Sequence, residues 1–150
     1  MDLKVIPGVI SGQTIRSLRP IDTARDAAQL MREHNISAVV ILDDAGLLLG
    51  IVTERDLARR VVAEDRQGST LLLSEIMSAD PAVVAPEASP FDVLETMRTL
   101  RVRHVPVVEG GRVVGMVSIR DLRNAIASVG GPRRGGALRR LLRAVFGAGR

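Results

Sequence analysis

The chain contains no cysteine, no tryptophan and no tyrosine. Without thiols there is neither a disulfide framework nor a thiolate nucleophile, which suits a reducing compartment, and a cytoplasmic location is expected. Aromatic side chains are reduced to Phe91 and Phe146, so a core has to be filled with Val, Ile, Leu, Met and Ala. The same scarcity removes the stacking platforms of single-strand nucleic-acid binders. Only two histidines occur, and with no cysteine and no close group of carboxylates a metal site is not expected. Long apolar runs are missing too: residues 38–42 are typical, far below the ~20 that span a bilayer. The start, Met1-Asp2-Leu3-Lys4-Val5, lacks the basic and then apolar pattern of a secretory signal, and a soluble protein is expected.

What is present is an ordinary globular balance, 46% hydrophobic and 25% charged over 150 residues. The net charge of +4 is unevenly laid out. Residues 131–150 hold six arginines and no acid, leaving 15 basic against 17 acidic groups in residues 1–130. The high pI therefore belongs mostly to the tail.

An internal repeat organises the rest. Gly50-Ile51-Val52-Thr53-Glu54-Arg55-Asp56-Leu57 returns 65 positions later as Gly115-Met116-Val117-Ser118-Ile119-Arg120-Asp121-Leu122. Upstream the offset is 66: residues 23–31 align with 89–97, and 36–42 with 102–108. The change of offset falls in a turn, Asp43-Asp44-Ala45-Gly46 against Glu109-Gly110-Gly111, where length changes are tolerated. In each copy a hydroxyl residue, Thr23 or Ser89, precedes an apolar-periodic run and predicts a capped amphipathic helix. Met31 and Met97 fall at core positions of those helices. Two β-branched runs around a glycine-bearing turn follow and predict a hairpin that leads into a second helix at Thr53 or Ser118. Short extended segments near 15–18 and 82–85 complete β-α-β-β-α. The fold class is α+β, two repeats over 12–66 and 74–129 related by a pseudo-two-fold and packed sheet against sheet. One copy of ~60 residues buries only a modest core, so a core shared by both is expected. Residues 64–74 form the link, with a short helical turn at Ser74-Glu75-Ile76-Met77.

The chemistry lies in the junction that occurs twice, Thr53-x-x-Asp56 and Ser118-x-x-Asp121. A hydroxyl residue followed three positions later by an acid is first of all a helix cap, although Glu is the usual partner. Two features go beyond a cap. The whole Gly-apolar-Val-[Ser/Thr]-x-Arg-Asp-Leu string repeats, and helix starts present free N–H groups to anions. A hydroxyl with those amides can hold phosphate, an Asp one turn on can accept from vicinal ribose hydroxyls, and Arg55 and Arg120 add charge. The combination suits a nucleoside phosphate. An isolated histidine such as His104 beside a strand is usually structural, but here Arg103 precedes it.

The repeated unit resembles a CBS domain, and residues 12–128 resemble a CBS-domain pair, the Bateman module; the second copy, with Arg101-Val102-Arg103-His104-Val105-Pro106-Val107-Val108 and then Gly115 to Leu122, matches the more closely. The resemblance implies adenine nucleotides bound in clefts between the repeats: AMP, ADP or ATP, with NAD or S-adenosylmethionine as alternatives. It implies Asp121 and Asp56 on ribose hydroxyls, Ser118 and Thr53 near ribose or phosphate, and Met116 and Ile51 against the base. It also implies Arg103 and His104 reaching phosphates. The first copy has Ser37 and Ala38 in place of that pair, so the Asp121 cleft is expected to bind charged nucleotides more tightly. Gly12, Arg16 and Ser17 would complete it, while Ser78, Ala82 and Val83 would complete the Asp56 cleft. At the amino end Ile6-Pro7-Gly8-Val9-Ile10-Ser11-Gly12 departs from the helix-plus-Met segment that precedes the second copy.

Beyond Val129, residues 130–136 read as a basic hinge. Leu138, Leu141, Leu142, Val145 and Phe146 then fall on one helical face opposite Arg139, Arg140 and Arg143. This tail is expected to dock on its own dimer or to be a frayed end, or else to touch an anionic membrane surface or an acidic protein, and no nucleic-acid partner is expected. With no nucleophile–base pair and no phosphate-binding loop of the P-loop kind, catalytic residues are not expected. The function expected is a homodimeric adenine-nucleotide sensor that modulates a protein on another chain. The alternatives are a structural dimerisation module with vestigial clefts and, behind it, a nucleotide-hydrolysing enzyme.

Overall fold

A side-chain oxygen placed just ahead of a helix satisfies an N–H that the helix itself leaves unpaired. Four helix starts here use one. In the computed structural model, which describes residues 4–129, α1 (Ala24–His34) is capped by Thr23, α2 (Glu54–Leu57) by Thr53 and α4 (Pro90–Leu100) by Ser89. Ser118 accepts from Asp121 N at the start of α5 (Ile119–Val129). Pro90 sits at the first position of α4, where its missing N–H costs nothing. Helix α2 runs on through a π-helical turn, Ala58–Val62, and α3 is the short Leu73–Ile76. The basic tail discussed above lies outside the described residues.

Strands β1 (Ser17–Leu18), β2 (Ala38–Leu42), β3 (Leu48–Thr53) and β4 (Ser78–Ala79) form one sheet in the order β1-β2-β3-β4, with β1 parallel to β2 and the other pairs antiparallel. Strands β5 (His104–Glu109) and β6 (Arg112–Ser118) form the second. The extended segment expected near 82–85 is reduced to a single parallel bridge, Val84 to Val107, the counterpart of the β1–β2 pairing. The two hairpins close differently. In the first, the Asp43 carboxylate accepts from the N–H groups of Ala45 and Leu47. In the second, Gly110 and Gly111 both take positive φ, +56° and +79°, as a two-residue hairpin turn requires. The one-residue change of offset is this change of turn.

Instead of one shared core there are two, and each is completed by a segment that precedes it or follows it in the chain. The first gathers Ala27, Met31, Val39, Ile41 and Val52 with Leu71 and Leu73 from the link and with Ile76, which was expected in the second repeat. Leu73 N and Ser74 N donate to Asp22 O and Pro20 O, tying α3 to the first repeat. The second gathers Val93, Leu94, Met97, Val105, Val117 and Leu122 with Val5 and Ile10 from the amino end. Val5 N and Ile6 N donate to Ala88 O and Pro86 O. Residues Val5–Val9 form a π-helical turn interrupted by extended Ile6, so the departure in sequence at the amino end still yields a turn placed as α3 is placed. A Cβ at Gly50 would lie 2.6 Å from Met77 Sδ, and one at Gly115 would lie 2.6 Å from Ile10 Cδ1. Both glycines are there to let the crossing segment approach the strand.

Candidate functional site

At each repeated junction the cap is complete. Thr53 N and Oγ1 donate to Asp56 Oδ2 at 2.9 and 3.0 Å, and Asp56 N donates to Thr53 Oγ1 at 3.2 Å. Ser118 N and Oγ donate to Asp121 Oδ2, both at 2.7 Å, and Asp121 N donates to Ser118 Oγ at 3.1 Å. Capping consumes one carboxylate oxygen and leaves the other. Thr23 and Asp26 make the same box at α1, but Thr53, Asp56, Ser118 and Asp121 line a cleft that Thr23 and Asp26 do not. Position, not the cap itself, distinguishes the repeated pair.

Both junctions open onto one continuous cleft of about 1000 Å³. Of the residues singled out in the sequence it is lined by Arg16, Ser37, Ile51, Thr53, Arg55, Asp56, Ser78, Ala82, Arg103, His104, Met116, Ser118, Arg120 and Asp121. Gly12, Ser17 and Val83 do not line it: Gly12 turns the chain at φ +62°, Ser17 pairs with Val40 in the sheet, and Val83 is exposed beside the Val84 bridge. The lining carries seven arginines, at 16, 55, 59, 60, 101, 103 and 120, against the acids Glu54, Asp56 and Asp121. Such an excess in a concave surface concentrates anions. Val40, Ile51, Ile15 and Met116 are among its apolar lining.

The two carboxylates differ in their neighbours. Arg60 Nε lies 3.7 Å from Asp56 Oδ1 and its guanidinium also donates to Ile76 O. The repeat counterpart of Arg60 is Ala125, and among the described residues no cation pairs with Asp121. Gln13 marks a second difference. Its side-chain amide donates to Met116 O and accepts from Met116 N, both at 2.9 Å, standing in for the backbone pairing that β4 makes with Ile51.

His104 joins the repeats. Its Nε2 lies 2.8 Å from Ser37 Oγ, at the first repeat's counterpart of Arg103. Burial pushes the imidazole below its usual value of 6.5; Asp121, Glu54 and Asp56 oppose that shift and Arg103 adds to it. A histidine with a lowered folded pKa leaves the unfolded state binding more protons, so stability is lost as pH falls below 6.5 toward the folded value. His104→Gln is expected to flatten the dependence of melting temperature on pH across that window. An unchanged slope in thermal scans would show that His104 does not carry it.

A family model, the CBS domain, matches residues 6–63 and again 73–128. The chain belongs to the CBS-domain family. The CBS domain-containing protein YhcV of Bacillus subtilis is 34% identical over 108 residues, 72% of this chain and 76% of YhcV. Other relatives are longer: the matched part is 18% of one Arabidopsis thaliana CBS-domain protein and 53% of another. The solved structure of a protein with CBS domains from Burkholderia ambifaria superposes with a TM-score of 0.78 at 34% identity, over 83% of this chain and 94% of that one. A CBS domain pair in complex with 5′-methylthioadenosine and S-adenosyl-L-methionine aligns with a TM-score of 0.77 over 87% of this chain and all of that one. At 24% identity that likeness is one of fold.

Several cleft residues of this CBS pair escaped sequence reasoning. Arg59 and Arg60 stand three and four positions beyond Asp56, one helical turn along, and that spacing was a usable signal. Gln13 and Arg101 carried none, because their places depend on how the amino end crosses β6 and on how α4 ends.

Proposed function

We propose that this CBS pair is a regulatory module that binds an adenine nucleotide, AMP, ADP or ATP, in the cleft between its repeats. One observation carries the reading: two carboxylates, each with one oxygen left over from a helix cap, face a cleft whose arginines outnumber its acids. Arginines alone would suit any anion. Carboxylates would repel a bare phosphate, but they accept hydrogen bonds from sugar hydroxyls, so the ligand bears phosphate at one end and hydroxyls at the other. Ile51 and Met116 offer a base an aliphatic bed. The same fold holds adenosine compounds in the complex with methylthioadenosine and S-adenosylmethionine, and NAD is a further ligand of that chemistry.

Occupancy would shift the packing of the repeats, and a protein on another chain would read the shift. The module would act in the cytoplasm as a homodimer, for which the exposed apolar side chains Ile21, Val62 and Phe91 offer surface. The residues assigned perform binding, and no catalytic role is assigned.

The absence of Trp and Tyr makes the first test simple, because protein absorbance is weak and a co-purified purine dominates the ultraviolet spectrum. Titration calorimetry with AMP, ADP, ATP, NAD and S-adenosylmethionine is expected to show saturable binding of at least one. A featureless spectrum together with no heat for any of the five would leave a purely structural pairing module.

A further inference from the structure

Left-handed backbone is tolerated by glycine and, among other residues, best by Asn and Asp, whose short polar side chains bond locally. Among the described residues four without a glycine's freedom take positive φ: Asn35 at 51°, Asp65 at 52°, Asp80 at 47° and Arg101 at 54°. Three obey the preference and Arg101 does not. It is the repeat counterpart of Asn35, and the two do the same backbone task at the end of the first helix of each repeat. The Arg101 N–H donates back to Met97 O and Arg98 O, a bond that any residue but proline would make. Its side chain is exposed, and among the described residues it has no ion pair and no hydrogen bond. Nothing in the fold calls for arginine here, and asparagine or glycine would relieve the backbone. What arginine does contribute is a guanidinium on the cleft wall, two residues ahead of Arg103, where the first repeat has only Asn35 and Ser37.

We propose that Arg101 is a ligand-binding residue that reads phosphate charge, held in a strained backbone position because the guanidinium is needed at the second repeat's side of the cleft. This rests on the nucleotide reading above and deepens it. Together Arg101 and Arg103 make a paired cationic edge that answers a ligand with more than one phosphate, so ATP should feel the loss of Arg101 more than AMP, and adenosine hardly at all.

The test compares wild type with Arg101→Asn and Arg101→Gly, using calorimetry with adenosine, AMP and ATP alongside thermal unfolding of the ligand-free chain. Both variants are expected to melt about 1–4 °C higher than wild type. Both are expected to lose about tenfold in ATP affinity, with adenosine changed by less than about twofold. If wild type binds ATP and the variants bind it equally well, the assignment of Arg101 falls while the nucleotide reading stands. A parallel loss for adenosine and ATP would also overturn it, since a damaged cleft does not distinguish charge. Variants that melt lower than wild type would remove the strain from the account. If wild type itself takes up none of the three, the nucleotide reading fails and this assignment falls with it.

Discussion

Asp121→Ala is expected to lower adenine-nucleotide affinity by about ten- to a hundredfold, and Asp56→Ala by less than about tenfold. On the nucleotide reading proposed above, charge-assisted hydrogen bonds to vicinal hydroxyls are at stake in each case. The carboxylates start from unequal positions, because Asp56 Oδ1 is 3.7 Å from Arg60 Nε whereas among the described residues no cation pairs with Asp121. A carboxylate with an arginine already beside it has less to offer a hydroxyl, and Arg103 adds charge on the Asp121 side. Both substitutions also break a helix cap, at a cost of about 0.5–2 kcal/mol in stability. Asp26→Ala separates the two effects: it breaks the same box at α1, away from the cleft, and should lose stability with unchanged binding. Calorimetry on the three variants decides. Equal losses for Asp56→Ala and Asp121→Ala would reject the asymmetry, and a loss for Asp26→Ala would reduce the effect to capping.

Ile76→Ala is expected to destabilise the chain by about 2–5 kcal/mol and to do so through the first repeat. Ile76 is fully buried and falls within the second repeat's span in the sequence, yet it belongs to the core that holds Met31, Val39, Ile41 and Val52. Hydrogen exchange provides the readout. Amides of α1 and β2 should lose protection while those of α4 and β5 keep most of theirs. Losses confined to residues 84–129 would contradict the assignment of α3 to the first core.

Much of this was legible in the sequence because it is periodic and local. The aligned strings around Asp56 and Asp121 gave both hairpins and both capped helices, whereas Thr53 with Arg55 and Ser118 with Arg120, assigned from the sequence to two clefts, line a single continuous one. Two things were not legible. The division into two cores depends on Val5 and Leu73 each packing against a repeat that their sequence position does not announce, since an apolar residue in a linker carries no label for its partner. The partner of His104 was equally hidden: Ser37 stands 67 residues away, and no local pattern joins a strand start in one repeat to a strand start in the other. Read alone, Ser37 marked a missing cation; in the fold it is the group that engages the histidine.

The crossing of the amino end onto the second repeat sets an order of assembly. During synthesis the first core can close soon after Ile76 leaves the ribosome, because all its members lie between Ala24 and Ile76. The second must bring Val5 together with Ile126 and so has to wait for nearly the whole described chain. Until then Val5 and Ile10 are without their packing partners, and the later-closing half is where nascent chains are most open to capture by a chaperone.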